Sequence, residues 1–263
     1  VRSTARTSFV HPRIFTNYTN MNNVHLSIII PAYNESERLP SSLREINNYL
    51  KNVDYNYEII VVNDGSQDDT AQIVRNMMST VNNLRLIDDK ENHGKGYSIR
   101  EAMLSARGDY RIFDDADNST SIDQIEKVWT EFDKGYDVVI GSRIIKGAVI
   151  PVRQSLLRRF VARIFYLLAH IICGLWGIHD TQCGFKAFRA KAAQDIFARA
   201  KINRFAFDVE VLVIAKRLGY KIKEIPVRWI EKRGGKVKFK SMFNMFKDLI
   251  RIRLNLIKGY YNK

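Results

Sequence analysis

From residue 25 to about residue 141, short apolar runs alternate with longer segments whose apolar residues recur every three or four positions. The runs at 25–30, 57–62, 84–88, 110–113 and 137–141 are rich in Ile and Val, as strands buried on both faces are. The segments between them, about 36–51, 67–79, 95–106 and 121–134, have helical spacing. This alternation predicts an α/β fold with a doubly wound, mainly parallel sheet. Ser66 and Asp68 are expected to cap the second helix, and Ser121 with Asp123 the fourth.

Beyond Gly141 the pattern changes. A basic stretch, 143–163, leads into an apolar helix ending near Cys173. A turn at 179–185 precedes helices near 190–199 and 207–218, a strand at 222–227 and a basic loop at 231–240. The last helix starts at about Ser241. Its Met242, Met245, Phe246, Leu249, Ile252 and Leu256 form one stripe, with Lys247, Arg251 and Lys258 off it. An apolar stripe with basic flanks suits an interfacial helix, although packing against the sheet satisfies the same spacing. Residues 1–22 contain no acid and no core-like period, and are expected to be a disordered leader. The nearest approach to a membrane span, 160–178, is broken by Arg163 and His170.

The 263 residues are enough for a sizeable core, and 46% hydrophobic with 27% charged residues is ordinary for a globular chain. The two cysteines, Cys173 and Cys183, lack metal-ligand spacing and fit a reducing compartment. Charge adds more. The chain carries +14, but residues 1–142 carry −6 and residues 143–263 carry +20. A basic half suits nucleic acid, an anionic membrane or a phosphorylated ligand.

The acidic half places polar turns at three strand ends, where ligands of open α/β sheets bind. Asp115-Ala116-Asp117 follows the fourth strand. Two carboxylates one residue apart can share Mg²⁺ or Mn²⁺ and leave positions open for diphosphate oxygens, or else act as acidic caps for the next helix. Asn63-Asp64-Gly65-Ser66 is a good turn sequence, and Asp64 is also placed to accept from a nucleobase N–H. In Pro31-Ala32-Tyr33-Asn34-Glu35, Pro31 and Tyr33 offer backbone and stacking contacts to the same base, and Glu35 a contact to ribose or base. Lys95, in Asn92-His93-Gly94-Lys95-Gly96, is either near the nucleotide or a solvated loop lysine.

These turns resemble those of the inverting family-2 glycosyltransferases, which have the GT-A fold. The resemblance runs from about residue 26 to 260. Its more specific motifs are Gly141-Ser142-Arg143, Asp180-Thr181-Gln182-Cys183-Gly184-Phe185-Lys186, Phe205-Ala206-Phe207-Asp208-Val209-Glu210 and Lys247-Asp248-Leu249. They are similar to motifs of the dolichyl-phosphate β-glucosyltransferases within that family. Asn118 stands where Gly is expected, Phe205 where Trp is, and Gly235 precedes Lys236 where Ser is usual.

The resemblance implies a GT-A domain over 23–240 with a basic helical elaboration on the acceptor side, then an amphipathic interfacial helix at 241–263. It implies a nucleotide-sugar donor, UDP-glucose, bound by the turns above including Ala32 and Ala116, and a polyprenyl phosphate acceptor. Asp115 and Asp117 would hold the metal. Arg143, Arg153 and Arg158 are the candidates for the acceptor phosphate, because guanidinium forks match its oxygens. Asp208 is read as base or sugar-hydroxyl ligand, Gln182 as a contact to donor sugar or phosphate, and Lys236 as closing over the diphosphate. Asp208, Asp117 and Gln182 form the expected catalytic group. The lipid acceptor implies a peripheral enzyme at the cytoplasmic face of a membrane. GDP-mannose is the alternative donor. Nucleic-acid binding is the reading outside enzymes, and the acidic turns oppose it. The sequence sets no oligomeric state.

Overall fold

The structure is a computed structural model. It describes the backbone of residues 23–151, 156–232 and 239–262, and their side chains apart from 156–162 and 239–242. Strand β1 (Leu26–Ala32) is followed by α1 (Leu39–Leu50), β2 (Tyr57–Asp64), α2 (Thr70–Met77), β3 (Leu84–Asp89), α3 (Lys95–Ser105) and β4 (Tyr110–Phe113). A 3-10 turn (Ile122–Gln124) enters α4 (Ile125–Asp133). Then come β5 (Val138–Ser142), α5 (Leu156–Cys173), β6 (Lys186–Arg189), α6 (Ala190–Phe197), α7 (Phe207–Arg217), β7 (Ile222–Pro226) and α8 (Phe239–Ile257).

These strands form one sheet in the order β3-β2-β1-β4-β6-β5-β7. β6 runs antiparallel between β4 and β5, and the other neighbours pair parallel. The expected doubly wound, mainly parallel sheet is present. β6 was not expected: Lys-Ala-Phe-Arg has a charge at each end and only two apolar residues between them.

Alternating side chains divide the core between the two faces of the sheet. Ile28, Ile30, Ile59 and Val61 join Leu43 and Ile46 of α1, Val74 of α2 and Val128 of α4. Ile29, Ile60 and Val62 join Met103 of α3, Ile196 of α6, Leu212 of α7 and Leu249 of α8.

Two expectations are corrected. Ser66 does not cap α2, and the N-cap residue Asp69 makes no side-chain cap bond, whereas Asp68 Oδ1 accepts the N–H of Thr70, the first residue of α2, at 3.0 Å. Ser66 Oγ instead accepts from the Asn34 N–H (2.9 Å), and Asp68 Oδ2 from the Ser36 N–H (3.1 Å). The strand-end loops lie against one another, so Ser66 and the second oxygen of Asp68 meet N–H groups of the neighbouring turn. Ser121 likewise makes no cap and donates to Glu45 Oε1 at 3.1 Å. Of the terminal stripe, Met245, Leu249 and Ile252 face inward, while Phe246 is exposed. The inward three are buried in the core that holds Ala169 and Cys173 of α5. The Cys173 thiol points at the Leu249 carbonyl, 3.7 Å away. A second apolar set on α8 faces outward. Among the described residues no helix is long and apolar enough to cross a membrane.

Candidate active site

Strand register brings the candidate residues to one edge. Ala32 lies opposite Asn63, Phe113 opposite Lys186, Lys186 opposite Ile140, and Ser142 opposite Pro226. The parallel strands β1, β2, β4 and β5 therefore end along the edge where antiparallel β6 begins. Residues 33–35, 64–66, 114–117, 143 and 180–186 all leave the sheet there.

Lys95, the first residue of α3, places its ammonium 2.6 Å from Asp115 Oδ1 and 5.7 Å from the centre of the Phe207 ring. Burial disfavours the Asp115 carboxylate, but Lys95 outweighs it and holds its pKa below the ordinary value. The Asp115 carboxyl lies directly over Gly184: a Cβ there would come within 2.0 Å of Oδ2. Any larger residue would displace the carboxylate. Asp117 Oδ1 accepts from the Ser119 N–H at 3.0 Å. Its Oδ2 is 3.6 Å from Arg38 Nη1.

Arg38 was not foreseen. It grips Glu35 with Nε (2.8 Å) and Nη2 (2.7 Å), and so joins the β1 and β4 turns. Glu35 and Arg38 are three apart at a helix start, which reads in sequence as a local helical pair. Asn118, found where Gly was expected, has φ 51°. Asn is the residue other than Gly that best tolerates the left-handed region.

Asp64 is bound within the protein. Its Oδ1 accepts from the His93 N–H (2.7 Å), and its Oδ2 from Asn92 Nδ2 and the Gly94 N–H (both 2.9 Å). Burial raises its pKa against those hydrogen bonds. Its visible role is to hold the loop that delivers Lys95. Tyr33 is exposed beside the site, Pro31 half-buried, and Ala32 and Ala116 buried. The Ala116 carbonyl accepts from Ser42 Oγ at 2.8 Å.

Across the edge, the Arg143 fork grips Asp180 through Nε (2.7 Å) and Nη2 (2.8 Å) and lies 5.5 Å from the Trp229 ring centre. Asp180 also accepts the Arg143 N–H at 2.9 Å, while its own N–H donates to Glu224. The Gln182 N–H donates to Asp180 Oδ1 at 3.2 Å. Its side-chain Nε2 is buried without a hydrogen-bond partner. Asp208, near the start of α7, is buried and paired with Lys186. Burial raises its pKa, and Lys186 opposes the rise. Sequence reasoning missed Lys186 as a site residue, because a lysine in an apolar run is ordinarily solvated. Arg153 and Lys236 lie outside the described residues, as does the side chain of Arg158.

Among the described residues no three His, Cys, Asp or Glu side chains form a ready metal cage. Asp115 and Asp117 nevertheless fit a hard divalent cation, since both supply carboxylate oxygen and such a cation takes further oxygens from water or phosphate.

Several known proteins are similar to this chain. The dolichyl-phosphate beta-glucosyltransferase of Dictyostelium discoideum is 36% identical, aligned over 95% of this chain and 80% of its own length. The protein of the same name from Homo sapiens is 36% identical over 89% and 76%. Among solved structures, mannosyl-3-phosphoglycerate synthase from Rubrobacter xylanophilus superposes with a TM-score of 0.66 at 15% identity, covering 91% of this chain and 76% of that one. Glucosyl-3-phosphoglycerate synthase from Mycobacterium tuberculosis, in complex with Mn²⁺, UDP and glucosyl-3-phosphoglycerate, has a TM-score of 0.60 at 19% identity, covering 88% and 79%. These likenesses place the fold in the GT-A class. Residues 27–197 match the family model described as Glycosyl transferase family 2, and with relatives of this identity and coverage the chain is a member of that family and a glycosyltransferase.

Proposed function

We propose that the protein transfers a hexose, glucose from UDP-glucose, to dolichyl or a related polyprenyl phosphate, inverting the anomeric centre. The observation that carries this reading is the meeting, at one sheet edge, of the Lys95–Asp115 pair with the Arg143–Asp180 unit and Asp208. The names and coverage of the relatives support the substrate classes.

Lys95 is positioned beside the donor diphosphate, with Tyr33, Glu35 and the Asp64 loop toward the nucleoside. Mg²⁺ or Mn²⁺ held by Asp115 and Asp117 would offset charge on the leaving diphosphate. The acceptor phosphate, with a second pKa of about 6, is already mostly a dianion at neutral pH. It needs orientation more than deprotonation. Arg143 spends Nε and Nη2 on Asp180, so its Nη1 meets the phosphate, with Arg153 and Arg158 as further candidates. Lys236 is a further candidate for the diphosphate. The attacking phosphate oxygen forms the new glycosidic bond as the bond to the nucleotide breaks on the opposite face. Ile144, Val149, Ile150 and Ile230 are apolar and exposed around Arg143, a surface suited to an isoprenoid chain.

A lipid acceptor requires work at a membrane surface. Of sixteen exposed large apolar side chains among the described residues, ten lie on α5, on α8 and in the turns after them. Ile164, Leu167 and Ile171 form the outer stripe of α5, and Ile250, Leu254 and Ile257 that of α8. Arg163, Lys247, Arg251, Arg253 and Lys258 are exposed beside them, and Asp248 is the only acid from residue 239 to 262. Two such basic faces repel each other, which disfavours a second copy as occupant. An anionic bilayer, here at the cytoplasmic face, is complementary.

The test is transfer of labelled sugar to a polyprenyl phosphate from UDP-glucose or GDP-mannose, with and without a chelator. Transfer from UDP-glucose that needs added Mg²⁺ or Mn²⁺ is expected. Asp117→Asn is expected to lower kcat by about 100-fold or more. Transfer from GDP-mannose alone would reassign the donor, and no transfer from either would end the proposal.

A further inference from the structure

Lys186 has no exposed surface. Its ammonium donates to the Cys183 carbonyl (2.6 Å) and to the Asp208 carboxylate, and stands 5.3 Å from the centre of the Phe113 ring. In register it lies opposite Phe113 on one side and Ile140 on the other, in the middle of the sheet. An ammonium is costly there, and replacing a buried ion pair by apolar residues of similar volume is often neutral or stabilising. Stability alone therefore does not explain the pair. Full burial also keeps Lys186 from touching substrate, so any effect on transfer passes through its neighbours. Those neighbours belong to the site. Asp208 is its direct partner.

We propose that Lys186 is a positioning residue. It fixes the Asp208 carboxylate in one orientation at the edge of the donor site, and it influences sugar transfer only through Asp208. Antiparallel β6 makes this possible. A parallel strand at this place would bring its last residue to the edge, whereas β6 brings its first. The Asp180–Phe185 turn and the lysine thus arrive together between Asp115 and Asp208.

The inference rests on the glycosyltransferase reading, and a double-mutant cycle in the full chain separates the two. Lys186→Met is expected to lower kcat by about 100-fold while the donor KM stays within about three-fold. Asp208→Asn lowers kcat as well. The double variant is expected to match Asp208→Asn within about three-fold, because the lysine has nothing left to position. Active sites are counted by UDP binding, so partial unfolding does not register as a change in kcat. Should Lys186→Met not fold, Lys186→Gln, which keeps a donor for the Cys183 carbonyl, takes its place. A wild-type kcat in the lysine variant, or two losses that multiply in the double, would overturn the inference while leaving the transferase intact. A wild type inactive with every donor would instead remove the functional reading.

Discussion

At the scale of single residues, Asn118 shows how one backbone angle constrains chemistry. It sits one position beyond Asp117 in the left-handed region, and its N–H bonds the Asp115 carbonyl at 3.0 Å. The turn that aims both carboxylates therefore depends on a residue that accepts this conformation. Asn118→Gly is expected to leave stability and kcat nearly unchanged. Asn118→Ala is expected to cost about 1 kcal/mol, read as a lower urea midpoint at constant m-value. A smaller cost for alanine than for glycine would contradict the argument. Asp115 and Asp117 were legible in the sequence because they follow a predicted strand, and Asp208 through the family resemblance. Arg38, Lys186 and the grip of Asp64 on the 92–94 loop were not. Each depends on a partner from a different segment, and local spacing carries no record of it. For Asp64 the nucleobase contact remains a proposal, and what the structure displays is loop support.

At the scale of elements, periodicity gave most strands and helices but not their surroundings. α8 carries apolar residues on both sides. Met245, Leu249 and Ile252 meet the core, and Ile250, Leu254 and Ile257 meet solvent. A stripe found by spacing is equally compatible with protein and with lipid, and only the position of α5 decides which stripe is covered. Leu249→Ala is expected to destabilise the fold by about 3 kcal/mol, the usual cost of emptying a buried leucine site. Chemical denaturation measures it, and a loss below about 1 kcal/mol would place Leu249 outside the core. β6 shows the opposite problem. Four residues with charged ends give no strand signal, yet hydrogen bonding on both sides holds them in the middle of the sheet.

At the scale of the whole molecule, the charge asymmetry takes on a spatial meaning. The acidic half supplies the strand-end carboxylate turns, which we assign to the donor, and the basic half supplies α5 and α8, whose outer faces we assign to the membrane. Ile250→Ser with Leu254→Ser is expected to lower binding to vesicles of phosphatidylserine and phosphatidylcholine by about ten-fold or more, without changing the melting temperature, since both side chains are exposed. Raising salt is expected to weaken wild-type binding through the basic rim. Equal binding by wild type and variant would remove the assignment.

The amino-acid sequence by itself determined the order of most strands and helices, through the periodic burial of apolar side chains, and with it the strand-end carboxylates and the split of charge, which are read directly from residue identity. Tertiary structure alone decided which carboxylate pairs with which cation, which face of α8 is covered, and that an antiparallel strand carries a lysine into the sheet. Those outcomes depend on contacts between segments many residues apart, and they are settled only when the elements pack and buried charges must find partners.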